Sequence, residues 1–320
     1  MIIDKNQCKI QKKIYSYKYK KVKSYMGINF QTLDLLKKNI DEFGQLGDVL
    51  TLGRLGNQVD KKNLKLLNLQ ENVNFKEKYS EKILINYLKA KSVDSIDNSS
   101  FEEASIIQDM NIELEKLDKQ YDTIIDFGTS EHIFNINQNL INISKLCKKG
   151  GRIIHCLPAN NQCGHGFWQF SPELFFSIYS EANGYILTKL NLIDNHDHQN
   201  YWEIKRGPEN ERLELNSFTP LYIFVSTKKA IEKPTIKAQQ TDYTYLWNKE
   251  SESINAAVIK KSFLSSALKR SKDKIKKYLR EKSMLKFFYV RYENKRLFLK
   301  NFYKRNNNLT KLKYNIKNHE

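Results

Sequence analysis

Several short stretches of the chain bring glycine, carboxylate and imidazole groups together in ways that suit ligand binding or proton transfer. Gly53-Arg54-Leu55-Gly56-Asn57 offers glycines for close backbone approach and amides that can meet a ligand at a helix start. Asp97 closes the run SVDSID, where an acid can accept hydrogen bonds from ribose hydroxyls. Asp109-Met110 follows SIIQ, and a carboxylate next to an apolar side chain can address the amino group and face of adenine. Gly128-Thr129-Ser130-Glu131-His132 follows a further apolar run. His165 stands in Gly164-His165-Gly166 beside Phe167, Trp168 and Phe170. An imidazole among glycines and aromatic rings suits a general base, with Trp168 and Phe170 as substrate contacts. A packed loop with a structural histidine competes with that reading. His132, directly after Glu131, is the second candidate base, and the pair could equally be a helix entry whose carboxylate meets the helix dipole.

Other groups read more simply. His155 lies inside RIIHCL and reads as a core residue. His196 and His198 have the spacing that turns two rings to one side of an extended chain, but a polar loop accounts for them, and no metal is expected. Cys8, Cys147, Cys156 and Cys163 lack C-x-x-C spacing, so they suggest scattered reduced thiols instead of a zinc knuckle or disulfide framework.

These residues need elements to hold them, and strand-like runs alternate with helical ones from residue 48 to 227. The expected strands are 48–53, a short apolar run ending in glycine, then 92–97, 105–109, 121–126 and 152–157, all short and rich in β-branched residues, and finally 185–193 and 221–226. Helical spacing appears up to about residue 70, near 79–89, and over 131–147, where Gly150-Gly151 is expected to close the helix. Another helix should start at Ser171-Pro172-Glu173, with Ser as cap and Pro in the first turn. This rhythm predicts an α/β fold with a doubly wound, mainly parallel sheet. In such sheets ligands bind beyond the carboxyl ends of the strands, where the strand order reverses, and the residues singled out above follow strand ends.

The run YDTIIDFGTSEHIFN, a helix, and KKGGRIIHCLPANN resemble the fourth strand, following helix and fifth strand of class I S-adenosylmethionine-dependent methyltransferases. The resemblance spans about 180 residues. More narrowly, GTSEHIFN with PANNQCGHGFWQFSPELFF resembles a subgroup of uncharacterised bacterial methyltransferase-like proteins. The resemblance implies a Rossmann-like methyltransferase fold with S-adenosyl-L-methionine as cofactor. It places Gly53, Asp97 and Asp109 at the family's cofactor positions, and the neighbouring Arg54, Gly56, Met110, Gly128 and Glu131 complete the expected cofactor site. The family's glycine loop usually follows an E/D-x-G-x-G-x-G pattern, whereas this chain has Thr51 in the acidic place and Arg54 between its glycines. Methyl transfer to a small-molecule or glycan-type acceptor is the expected activity. The rival readings are an inactive relative that only binds a partner and a nucleic-acid methyltransferase.

The charge of +18 sits at the two ends. Residues 1–30 carry +7 and residues 251–320 carry +15, while residues 31–250 are acidic at −4. Any anionic partner should therefore be met by the ends, and nucleic acid is less expected at the core. The expected organisation is a basic segment over 1–30, a methyltransferase-like domain over 31–230, a linker over 231–250 and a basic amphipathic helical tail over 251–320. In the tail Leu264, Leu268, Leu279, Leu285 and Phe288 recur among cations, a pattern that suits an anionic membrane surface. No apolar run is long enough to span a bilayer and no secretory leader is evident, so a cytoplasmic protein, peripheral at most, is expected.

Overall fold

The computed structural model describes residues 27–59, 67, 77–114, 119–207, 213–233, 236–241, 243–247, 283–300 and 302–314. Among them, nine strands form one sheet in the order β3-β2-β1-β4-β5-β8-β6-β7-β9. The strands are β1 (Asp48–Leu52), β2 (Ser92–Asp97), β3 (Ile106–Ile107), β4 (Tyr121–Asp126), β5 (Cys147–Asn160), β6 (Tyr185–Asp194), β7 (Asn200–Ile204), β8 (Leu221–Lys229) and β9 (Leu309–Lys313). β1 pairs in parallel with β2 and with β4, so the chain winds one way through β2 and β3 and the other way through β4 and β5. β8 runs antiparallel between β5 and β6, which leaves β6 pointing the same way as β5. The result is the expected doubly wound, Rossmann-like sheet with most strands in one direction, extended past β6 by the antiparallel β7 and β9.

Apolar residues alternate along the strands and feed two cores, because successive side chains leave opposite faces of a sheet. Val49, Ile125, Ile154 and Phe224 face one layer; Leu50, Ile124, Ile153 and Ile223 face the other. The first layer contains α1 (Phe30–Phe43) and α2 (Glu81–Asn86), which supply Leu33, Leu36, Ile83 and Leu84. The second contains α3 (Ile136–Leu146) and α4 (Pro172–Ile178), which supply Leu140, Ile143, Phe175 and Ile178. α4 starts as its sequence suggested, with the Ser171 hydroxyl accepting from Leu174 N at 3.4 Å and Pro172 in the first turn.

Three features depart from the sequence expectations. The helix expected over 131–147 is divided: a 3₁₀ turn covers Ser130–His132, and α3 starts only after Asn135, whose side chain accepts from Gln138 N. Gly150 and Gly151 do not close that helix but lie within β5, which follows α3 directly at Cys147. The carboxyl-terminal segment is not helical throughout. α5 (Ser283–Lys300) is a helix, but β9 pairs with β7 from Asn200↔Lys313 to Ile204↔Leu309. Tyr303 and Tyr314 are buried beside β9, with Tyr303 packed edge-on to Trp202 and Tyr314 against Phe30 and Tyr201. Burying aromatic surface outweighs the local polarity of this stretch, since each such side chain contributes about 1.5–3 kcal/mol. Leu264, Leu268 and Leu279 lie outside the described residues.

Candidate functional site

The winding reverses between β1 and β4, and their carboxyl ends lie level, with Leu52 registered against both Ile96 and Asp126. A cleft of about 500 Å³ opens there, lined by the glycine loop, the ends of β2 and β3 and the segment after β4. Gly53, Arg54, Gly56, Asp97, Asp109, Met110, Gly128 and His132 all line it. Thr129 from the run after β4 lines it as well, and so do residues that sequence reasoning did not single out, among them Tyr79, Asn98, Gln108, Phe127 and Ile133.

The glycine loop is built for close approach. Gly53 has φ +67°, and a Cβ there would lie 2.9 Å from Thr129 Oγ1. That hydroxyl donates to the Leu52 carbonyl at 2.7 Å, fixing the two loops against each other. Arg54 is anchored: its Nε donates to Glu81 at 2.7 Å, its Nη1 donates to the Glu102 carbonyl at 3.0 Å, and its guanidinium lies 3.9 Å from the centre of the Tyr79 ring. The cation in the glycine loop is thus matched by a carboxylate and a π-face. As a partly exposed pair it contributes on the order of 1 kcal/mol at most, so its main effect is to position the side chain.

The carboxylates at the other strand ends are only partly committed. Asp97 Oδ1 accepts from Ser99 N at 3.2 Å, and Asp109 Oδ1 accepts from the backbone and side chain of Asn111, each at 2.8 Å. Met110 is buried and forms the apolar floor.

A residue that sequence reasoning missed organises the segment after β4. Asp126, the last residue of that strand, is fully buried. It accepts from Thr129 N, Ser130 N and the Ser130 hydroxyl, and it lies 2.8 Å from His155 Nδ1. His155 Nε2 is 2.6 Å from the Tyr179 hydroxyl. His155 is therefore a core histidine bonded at both ring nitrogens, as its place in a strand suggested. Burial raises the Tyr179 hydroxyl well above its ordinary value. The signal for Asp126 was available in its position as a carboxylate ending a central strand.

Glu131 and the two candidate bases meet beside the cleft. Glu131 is 0% exposed and lies behind the wall, so it does not line the cleft as expected of a cofactor ligand. Its Oε1 is 3.2 Å from His165 Nε2 and 3.8 Å from His132 Nε2. Its Oε2 is buried with no hydrogen-bond partner among the described residues. Burial, with the nearby Asp126 charge, pushes its carboxyl up to about 8. Burial, and to a lesser extent His132, holds the His165 imidazole below its ordinary value. The two rings lie 5.3 Å apart edge to face, but only His132 reaches the cleft.

The loop carrying His165 is clamped to Glu131. Phe167 N and Trp168 N both donate to the Glu131 carbonyl, at 2.7 and 3.3 Å. Gly166 has φ +75°, and a Cβ there would lie 2.7 Å from that carbonyl oxygen. Trp168 donates from its ring to the Ile133 carbonyl at 2.9 Å. Phe170, expected at a substrate surface, is instead core, packed against Phe175. Phe167 and Phe134 are the exposed rings of this region, 66% and 70% exposed, and they meet edge to face at 5.8 Å.

No protein-family model and no curated protein matches the chain. Solved structures do align with it. A S-adenosylmethionine-dependent methyltransferase from Clostridium acetobutylicum shares 13% identity at a TM-score of 0.28, covering 70% of this chain and 83% of its own. The N-methyltransferase NodS from Bradyrhizobium japonicum shares 12% at 0.37, covering 63% and 96%. The 1,6-didemethyltoxoflavin-N1-methyltransferase of Burkholderia thailandensis, solved with bound 1,6-didemethyltoxoflavin and S-adenosylhomocysteine, shares 11% at 0.34, covering 72% and 92%. At such values the fold class rests on the chain's own strand order: a doubly wound, Rossmann-like sheet with a ligand-sized cleft at its point of reversal.

Proposed function

We propose that the protein is a S-adenosyl-L-methionine-dependent methyltransferase acting on a small-molecule or glycan-type acceptor. The observation that carries this reading is the convergence of Gly53, Asp97, Asp109, Met110 and Gly128 on one cleft at the switch point of the sheet. The residues present suit the cofactor. The missing side chain at Gly53 leaves a cradle, two partly committed carboxylates stand where ribose and adenine would lie, and Met110 offers an apolar face. Arg54, matched by Glu81 and Tyr79, leaves no lone cation to repel a sulfonium.

When bound, the cofactor supplies a methyl group on a positively charged sulfur, which leaves as a neutral thioether carrying the electrons of the broken bond. The protein's own work is then mainly positioning. Asp97 would hold the ribose hydroxyls, Asp109 and Met110 the adenine, and the Gly53–Gly56 loop the amino-acid end. The group formed by Glu131, His132 and His165 borders the acceptor side, where a hydroxyl or amine acceptor must lose a proton. Phe134, Phe167 and Trp168 present an aromatic surface suited to a ring-shaped acceptor. The basic residues of 251–320 are assigned to an anionic membrane surface. α5 supports this with exposed Val290 and Leu297, seven residues apart on one face, beside Arg291 and Lys295.

Calorimetry with S-adenosylhomocysteine tests the reading. The wild-type chain should bind, and Asp97→Ala should weaken binding by about 1.5–3 kcal/mol, the cost of a lost charge-assisted hydrogen bond. Unchanged affinity removes Asp97 from the site. Absence of binding by the wild type favours a methyltransferase-like protein that only binds a partner.

A further inference from the structure

Glu131, His132 and His165 together pose a problem that hydrogen bonding alone does not solve. A fully buried carboxylate has one oxygen without a partner among the described residues, and its other oxygen meets His165 Nε2 at 3.2 Å, the long end of a hydrogen bond, and His132 Nε2 at 3.8 Å, beyond one. A buried carboxylate of this kind must be neutralised, by a proton or by a cation. The two histidines come from different elements, the 3₁₀ turn after β4 and the loop after β5. The second is fastened by backbone hydrogen bonds to Glu131 itself.

We propose that these three side chains form a binding site for a divalent transition-metal ion of the zinc class at the edge of the cleft. Ligand atoms from all three residues lie within 4.8 Å of one another. Ligands about 2.0–2.2 Å from a tetrahedral ion are spaced roughly 3.3–3.5 Å apart. The observed 3.2 Å and 3.8 Å from Glu131 Oε1 to the two ring nitrogens bracket that spacing. His132, with a side chain 53% exposed, can turn to close the remainder. Two imidazoles and one carboxylate suit zinc and its neighbours better than magnesium or calcium, which favour all-oxygen sets.

Three protein ligands leave a fourth position open, the pattern of a catalytic rather than a structural zinc site. Because His132 lines the cleft, an oxygen donor of the acceptor can take that position. This consequence rests on the methyl-transfer reading, whereas the metal site does not. His196 and His198, the other histidine pair, are not part of such a group among the described residues.

The test titrates the metal-free, full-length chain with Zn²⁺ by calorimetry and with Co²⁺ by visible absorption, with S-adenosylhomocysteine binding measured in parallel. We expect one ion per chain and cobalt bands typical of low coordination number. Glu131→Gln, His165→Ala and the exposed His132→Ala should each weaken binding by about tenfold or more. Cys163→Ser and the His196→Ala/His198→Ala double variant should bind as the wild type does. An unchanged far-ultraviolet circular dichroism spectrum and a cooperative thermal transition would show that the variants are folded. Lack of zinc and cobalt binding by the wild type, or equal binding by the wild type and His132→Ala, overturns the proposal. A chain that binds zinc but no S-adenosylhomocysteine overturns the methyltransferase reading and leaves the metal site standing.

Discussion

At the scale of single residues, the cleft is decided by what is missing as much as by what is present. Gly53 combines a left-handed backbone with contact against Thr129, so Gly53→Ala meets both strain and a clash. The strain alone costs about 1–2 kcal/mol. Thr129 can relieve the clash only by giving up its hydrogen bond to Leu52. We expect S-adenosylhomocysteine affinity to fall about tenfold or more while the denaturation midpoint shifts modestly; calorimetry giving wild-type affinity would show that the loop does not touch the cofactor. Gly53, Asp97 and Asp109 could be read from the sequence because strand ends in a doubly wound sheet announce their own position. Glu131 and Phe170 were misplaced for a common reason. Both lie in segments whose side chains alternate between wall and interior, and sequence alone does not say which side a 3₁₀ turn or an irregular loop presents.

Among the elements, the expected strands through β6 and the later strand β8 carried clear apolar runs and were legible. β7 and β9 were not. NYWEI follows a polar histidine-rich loop, and LTKLK alternates too briefly, within a cationic tail, to stand out from helical spacing. Their pairing depends on tertiary contacts, chiefly Tyr303, which is 2% exposed and donates to Asp194 Oδ2 at 2.5 Å. Asp194 also accepts from His196 N, so it terminates β6 and holds the approach to β9 at once. Tyr303→Phe keeps the ring and leaves a buried carboxylate short of a donor. It should destabilise the protein by about 1.5–3 kcal/mol in urea denaturation. A change below about 0.5 kcal/mol, the size of an ordinary surface substitution, would mean that the hydrogen bond to Asp194 does not help to hold β9.

For the whole molecule, the carboxyl-terminal segment has two roles, since residues 302–314 complete the sheet while α5 precedes them. Removing everything past residue 250 would therefore damage the fold, and the membrane assignment is better tested by substitution. The full chain should pellet with phosphatidylserine-containing vesicles and not with neutral ones. Arg291→Glu with Lys295→Glu should reduce the pelleted fraction, because each cation near such a surface contributes about 1 kcal/mol. Equal pelleting by the variant and the wild type would remove α5 from the contact. The position of β9 has a further result. A sheet of this length offers two margins at which strands from another copy could add, and open margins invite aggregation. One margin here is β3, only two residues long, and the other is β9, where Lys311 and Lys313 interrupt five residues. By covering β7 with a short, cationic strand, the chain replaces a margin rich in aromatic residues with one that repels its own kind.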